Sequence, residues 1–240
     1  ALSPVVRNTQ VPISYSLATE SNTGDGLRIG ESIGAKLDDP PHQRSAFWTP
    51  VSITKRKDGT AGLFPHIFLD RAKPGLIAVN AGGQRFVNEA ASYHDFVEAM
   101  YRSHENVATI PAWLVCDSYF VQKYGIGTIY PGAKNLQKFA KAGYVRIADT
   151  ISNLAKSIGI SGTELENTIM RHNKFASNGI VLDFGKGDLE LNRFNGDSDN
   201  RPNPCLRSIE TAPFVAMPVW PAELGCSIGL KTNINGQVLD

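Results

Sequence analysis

The chain has 240 residues, 42% of them apolar and 20% charged, with a formal net charge of +1. Such a composition suits a soluble protein of one large domain or two small ones with a genuine core. The near-neutral charge leaves no basic footprint for nucleic acid or an anionic membrane, and no apolar run reaches the length of a membrane span.

In chain order, residues 1–42 read as strand and turn, then a glycine-rich corner at Thr23-Gly24-Asp25-Gly26 and a short helix through Leu27, Ile29, Ile33 and Ala35. Asp38-Asp39-Pro40-Pro41 marks a boundary, because adjacent prolines stop a helix. Val51–Ile53 and Leu63–Leu69 read as strands joined by a hairpin turn at Asp58-Gly59. Leu76 to Asn80 is a third strand. From Asn88 the pattern turns helical, with Tyr93, Phe96, Val97 and Met100 on one stripe. Trp113 to Cys116 reads as a buried strand, and Tyr119 to Tyr124 as another helix. Asp149 is placed to cap a helix through Ile158. Thr163-Glu164-Leu165-Glu166 reads as a capping box for a helix that ends at Gly179. The polar stretch 183–204 reads as loop, and Pro213 to Leu239 as strand with a hairpin turn at Asn235-Gly236. The expected fold class is α+β.

Cys116, Cys205 and Cys226 form no CxxC pair, and the five histidines form no HxxxH or HExxH pair. No metal site or disulfide framework is expected, and reduced thiols point to a cytoplasmic protein. No GxGxxG stands between a strand and a helix, so a complete dinucleotide site within the chain is not expected. There is also no phosphate-binding P-loop and no GxSxG elbow.

Three segments carry a specific resemblance. Asn22-Thr23-Gly24-Asp25-Gly26-Leu27 with Gly30 and Gly34-Ala35 resembles the segment NTGDGxxMGxxxGA of the fumarate reductase and 3-ketosteroid dehydrogenase flavoproteins, with Ile29 in place of methionine. Pro74 to Asn80 and Gly83 to Glu89 resemble that family's PGxIxVNxxGxRFxNE. Pro213-Phe214, Leu224-Gly225, Gly229-Leu230, Asn235-Gly236 and Val238-Leu239 resemble PFYA…LGTxGGLxTDxxGxVL. The three occur in family order over nearly the whole chain.

The resemblance implies an incomplete piece of an FAD flavoprotein. Residues 1–42 and 208–240 would be remnants of the FAD-binding domain, and residues 43–207 the substrate-covering cap. The missing FAD-domain segments would hold most of the cofactor, so FAD is expected in the full-length parent and none in this fragment. Thr23, Gly24, Asp25 and Gly26 would lie against FAD. Fumarate reductases carry a proton-donating arginine where this chain has Tyr93, a dicarboxylate-clamping histidine at about Gly225, and an acid–arginine relay at about Leu69 and Ala72. A dicarboxylate therefore fits poorly. A tyrosine after NExxx matches the 3-ketosteroid dehydrogenases, which implies an apolar ketone or steroid-like substrate and Tyr93 as the proton acceptor. An ordinary tyrosine phenol titrates near about 10, so that role needs neighbours favouring the ionised form. Gly225 would border the substrate. Without the resemblance, Tyr93 reads as a core aromatic beside Phe96 and Val97. The alternative function is a binding module that kept the cap architecture without redox chemistry, which the departures Val215 and Ile228 favour.

Overall fold

Turn chemistry and close packing organise the segments around the glycine-rich corner. A computed structural model describes residues 15–19, 21–38, 46–68, 70–226 and 229–240. The chain divides into two units, residues 1–49 with 222–240 and residues 50–221. In the smaller unit, β1 (Tyr15–Ser16) runs parallel to Ala222 and Glu223 of the last strand. Gly24 adopts a left-handed φ of 80°, strained for any side chain, and α1 (Asp25–Ser32) starts immediately after it. Gly30 faces Leu230 so closely that a Cβ there would lie 2.6 Å from Leu230 Cδ1. The expected turn at Asn235-Gly236 forms, with Gly236 N donating to Asn233 O at 3.0 Å and Thr232 bridging Val238.

In the larger unit β2 (Ala46–Lys55), which enters at Pro50, turns back through Asp58-Gly59 into β3 (Ala61–Pro65) as the predicted hairpin. The strand expected to reach Leu69 stops at Pro65, because His66 and Asp70 turn inward and bond each other at 2.7 Å. Leu69 itself, like Ile228, lies outside the described residues. There follow β4 (Leu76–Val79), α2 (Tyr93–His104), β5 (Ala112–Asp117), α3 (Ser118–Tyr124), α4 (Gln137–Lys141) and β6 (Arg146–Ala148). Then come α5 (Ile151–Ser157), α6 (Gly162–Asn178), α7 (Glu190–Asn195) and β7 (Phe214–Cys226). The sheet order is β3-β2-β7-β5-β4 with β6 also on β7. The β4–β5, β5–β7 and β6–β7 pairs are antiparallel, so the described residues form a mixed helix and sheet layout and no doubly wound parallel sheet. Leu154, Ala155, Leu165 and Ile169 of α5 and α6 pack on Ile77, Val79, Val115 and Ala216 of the sheet. Burying each large apolar side chain of that layer contributes roughly 1.5–3 kcal/mol.

The helix starts differ from expectation in instructive ways. Thr150, one residue beyond Asp149, caps α5 by accepting from Asn153 N at 3.1 Å. Ser161 caps α6 by accepting from Glu164 N at 3.4 Å, so the cap lies two residues earlier than Thr163. The helix expected from Asn88 starts at Tyr93, because Asn88 to Ala91 close a turn (Ala91 N to Asn88 O, 3.0 Å) and Ser92 is the cap. Inside the expected loop 183–204, Glu190–Asn195 is helical.

Candidate functional site

Ser92 accepts from Asp95 N at 3.1 Å, which makes Tyr93 the first residue of α2. Phe96, Val97 and Met100 from the same stripe are fully buried, whereas Tyr93 is half-buried. It lines a pocket of about 110 Å³ with Ile67, Phe68, Ala90, Leu191 and the buried Arg71. Its phenol oxygen forms no hydrogen bond with any described residue.

The turn leading into Tyr93 is held from inside the protein. Arg71 donates through Nε to His66 O (2.6 Å), through Nη2 to Ile67 O (2.7 Å), and through Nη1 to Glu89 O (2.7 Å) and Ala91 O (3.1 Å). Asn192 of α7 donates to Ala90 O at 2.9 Å and accepts from Asn88 Nδ2 at 2.9 Å. The Glu89 carboxylate accepts a two-pronged pair from Arg85 (2.8 and 2.7 Å) and a bond from Ala78 N (3.0 Å), with Lys186 Nζ 3.5 Å away. Burial alone would raise its pKa, but the charges of Arg85 and Lys186 and these bonds hold it down at about 2. The Arg-Phe-x-Asn-Glu segment therefore builds a scaffold behind Tyr93. Nearby His172 donates through Nε2 to Arg207 O at 3.0 Å. Burial first, then the charges of Lys186 and Arg85, lowers its imidazole to about 3.

A second network mimics a nucleophilic triad. His66 Nε2 lies 2.8 Å from Ser52 Oγ, its Nδ1 lies 2.7 Å from Asp70, and Ser52 Oγ also meets Tyr144 Oη at 2.7 Å. Ser52, His66 and Asp70 are buried, so the hydroxyl faces no substrate and the network braces β2.

The other predicted residues gather in the smaller unit. Thr23, Gly24, Asp25, Gly26 and Gly225 line one cleft of about 350 Å³, together with Glu223. A Cβ on Gly26 or Gly225 would meet no described atom within 4 Å, so both open onto the cleft. No side chain caps α1, which leaves its first backbone N–H groups available to an outside partner. Asp25 in that first turn, paired with Arg28, already supplies negative charge at the positive end of the helix dipole. The cleft therefore suits a neutral, hydroxyl- or carbonyl-bearing group better than an anion. Glu223 is buried and accepts from Ser16 Oγ at 3.2 Å, and burial pushes its carboxyl up in spite of that bond.

Sequence reasoning missed Arg71, Asn192 and Glu223. Arg71 stands three residues before the matched Pro74-Gly75, and Glu223 two before Gly225, so both lay beside segments already singled out. Asn192 gave no signal, because its bonds reach residues remote in sequence. Val215, where the family has tyrosine, is fully buried opposite Cys116 and Ile147. Among the described residues no group of three or more His, Cys, Asp or Glu is arranged for a metal, and no helix is long and apolar enough to cross a membrane.

Comparison with known proteins bears on both regions. The family model described as an FAD binding domain matches residues 6–240. The 3-oxosteroid 1-dehydrogenase of Mycobacterium tuberculosis is 31% identical over 98% of this chain and 41% of its own length. The 4-oxocyclohex-2-ene-1-carboxylate 5-dehydrogenase of Sinomonas cyclohexanicum is 34% identical over 92% of this chain and 37% of its own length. The structure of the Sterolibacterium denitrificans 3-ketosteroid Δ1-dehydrogenase with 1,4-androstadiene-3,17-dione superposes with a TM-score of 0.82. It is 36% identical and covers 94% of this chain and 40% of that one. The chain thus spans about two-fifths of the length of these relatives.

Proposed function

The chain belongs to the FAD-binding domain family matched over residues 6–240, and on that premise we propose that it serves a flavin-dependent dehydrogenation beside a ketone. In this reading residues 43–207 are the substrate-covering cap, Thr23 to Gly26 border the cofactor, and Gly225 on the same cleft borders the substrate. Most of the FAD site would lie outside this segment, which alone would hold no tight cofactor and have no activity. Bound FAD supplies the acceptor for a hydride leaving one carbon of the substrate. Tyr93 Oη, as the phenolate, takes the proton from the neighbouring carbon, next to the carbonyl, and becomes the neutral phenol, and the two departures leave a carbon–carbon double bond.

One observation carries the assignment. Tyr93 lines a largely apolar pocket with its hydroxyl bonded to no described residue, whereas a core tyrosine would bond its hydroxyl inward. The walls formed by Ile67, Phe68, Ala72 and Leu191 suit a hydrocarbon ring better than a dicarboxylate. Both similar curated dehydrogenases named above are described as acting on cyclic ketones, which supports the same class here.

The test is Tyr93→Phe in a full-length, FAD-loaded protein carrying this segment. Flavin reduction by a cyclic ketone, followed by absorbance in single turnover, is expected to fall roughly 10²-fold with substrate affinity nearly unchanged. Reduction at the parental rate would overturn the assignment. A protein that binds no flavin at all would instead favour the non-redox binding module.

A further inference from the structure

Arg71 occupies an unusual position for a buried cation. It is 1% exposed, yet no carboxylate among the described residues lies within salt-bridge distance of it. Its nitrogens instead go to four main-chain carbonyls on two separate segments, residues 66–67 and residues 89–91. Both segments line the Tyr93 pocket, one through Ile67 and Phe68 and the other through Ala90, Ala91 and Tyr93.

Three consecutive carbonyls are claimed in alternation. Glu89 O and Ala91 O accept from Arg71, and Ala90 O between them accepts from Asn192 of α7, which also lines the pocket through Leu191. Ser92 and Tyr93 follow directly, so the rotation of this turn sets the direction in which Tyr93 leaves the first turn of α2. A guanidinium is a rigid planar fork, and its donors fix the spacing of the carbonyls they reach. Its body is held in turn by the Phe96 ring, whose centroid lies 4.9 Å from Arg71 Cζ.

We infer that Arg71 is a positioning residue, assisted by Asn192, that sets the width of this pocket and aims the Tyr93 hydroxyl at the substrate. The inference rests on the proposed role of Tyr93. A lysine in place of Arg71 keeps the charge but presents one flexible ammonium with three donors, which cannot span four carbonyls on two segments. The turn then loses its fixed rotation while the apolar walls remain, so the chemical step suffers more than binding.

The experiment is a double-mutant cycle of Arg71→Lys with Tyr93→Phe in the full-length, FAD-loaded protein. Hydrogen exchange at the 89–93 amides of the same proteins serves as an independent readout. Alone, Arg71→Lys is expected to slow single-turnover flavin reduction roughly 10- to 10²-fold, with substrate dissociation constants within about threefold. In the Tyr93→Phe background the same change is expected to slow it less than about twofold, because no aimed hydroxyl remains. The 89–93 amides are expected to exchange faster in Arg71→Lys. Equal slowing in both backgrounds would show general damage and overturn the inference, as would no slowing at all. Should Arg71→Lys not fold, Asn192→Asp, which keeps the shape but loses the bond to Ala90 O, runs through the same cycle with the same criteria. If Tyr93→Phe alone has no effect, the Tyr93 assignment falls and this inference with it. If only the non-additivity is missing, the assignment stands and the positioning role falls.

Discussion

The Tyr93 turn and the Thr23–Gly26 corner are two short segments of similar length with opposite hydrogen-bond economies. Around Tyr93, the carbonyls of residues 89 to 91 and the Glu89 carboxylate all find donors within the chain, many of them buried. At Thr23 to Gly26 the helix start has no side-chain cap, and its charged pair, Asp25 with Arg28, stands 70% and 61% exposed. The first segment is finished by its own fold and presents one side chain outward. The second leaves its backbone open, and on the proposed reading the cofactor completes it. A change in the first should therefore cost stability, and a change in the second should cost cofactor affinity.

The largest effect is expected from Glu89→Gln, which leaves Arg85 and Lys186 as buried cations without their shared counter-charge. Unfolding free energy in denaturant titration should drop by about 3–5 kcal/mol. A drop under about 1 kcal/mol would mean that this cluster is not what finishes the turn.

Acid should act next, and on the same region. In the unfolded chain the His172 imidazole takes a proton at about its ordinary 6.5, whereas the folded form resists until about 3. The unfolded state binds more protons in that window, so stability falls as the pH drops from about 6.5 toward 3. Glu89 adds to this between its ordinary 4.5 and about 2, where its folded form still refuses the proton. The summed loss should be on the order of a few kcal/mol. His172→Gln should flatten the part between about pH 6.5 and 4.5, and an unchanged slope there would assign it to other groups.

Gly24→Ala tests the corner. A Cβ at a φ of 80° costs about 1–2 kcal/mol, locally at the start of α1. In a full-length protein FAD affinity should weaken with little change in the melting of the Tyr93 region. Asp25→Asn is the smallest step. Losing an exposed pair should alter stability by under about 1 kcal/mol, read by thermal melting. If either change melted the Tyr93 region, the contrast between the two segments would be broken.

What the sequence made legible follows the range of the interactions. The Asp58-Gly59 hairpin, the Asn235-Gly236 turn and the end of α6 at Gly179 each depend on a few adjacent residues, and each forms where expected. The caps of α5 and α6 lie one and two residues from expectation because Thr150 and Ser161 offer a side-chain oxygen that accepts as readily as those of Asp149 and Thr163. Six residues of α7 were hidden in an Asn- and Asp-rich stretch of low helix propensity, where Asn192 bonds to residues 88 and 90 override the local preference. For the site, family motifs marked Tyr93 and the glycine corner. Arg71 stayed hidden because a lone arginine looks like a surface charge until its four acceptors are seen together.

The Asn88–Asn192 bond joins residues 104 apart, and Lys186 reaches the Leu76 carbonyl across 110. Loops of that length close late and at an entropic cost that only the finished contacts repay. The hairpin β2–β3 and the adjacent pair α5–α6 need no such closure. In the order of folding, then, the wall beside Tyr93 comes late, together with the sheet pairs of similar separation such as Cys116–Val215, and only the hairpin and the α5–α6 pair can precede both.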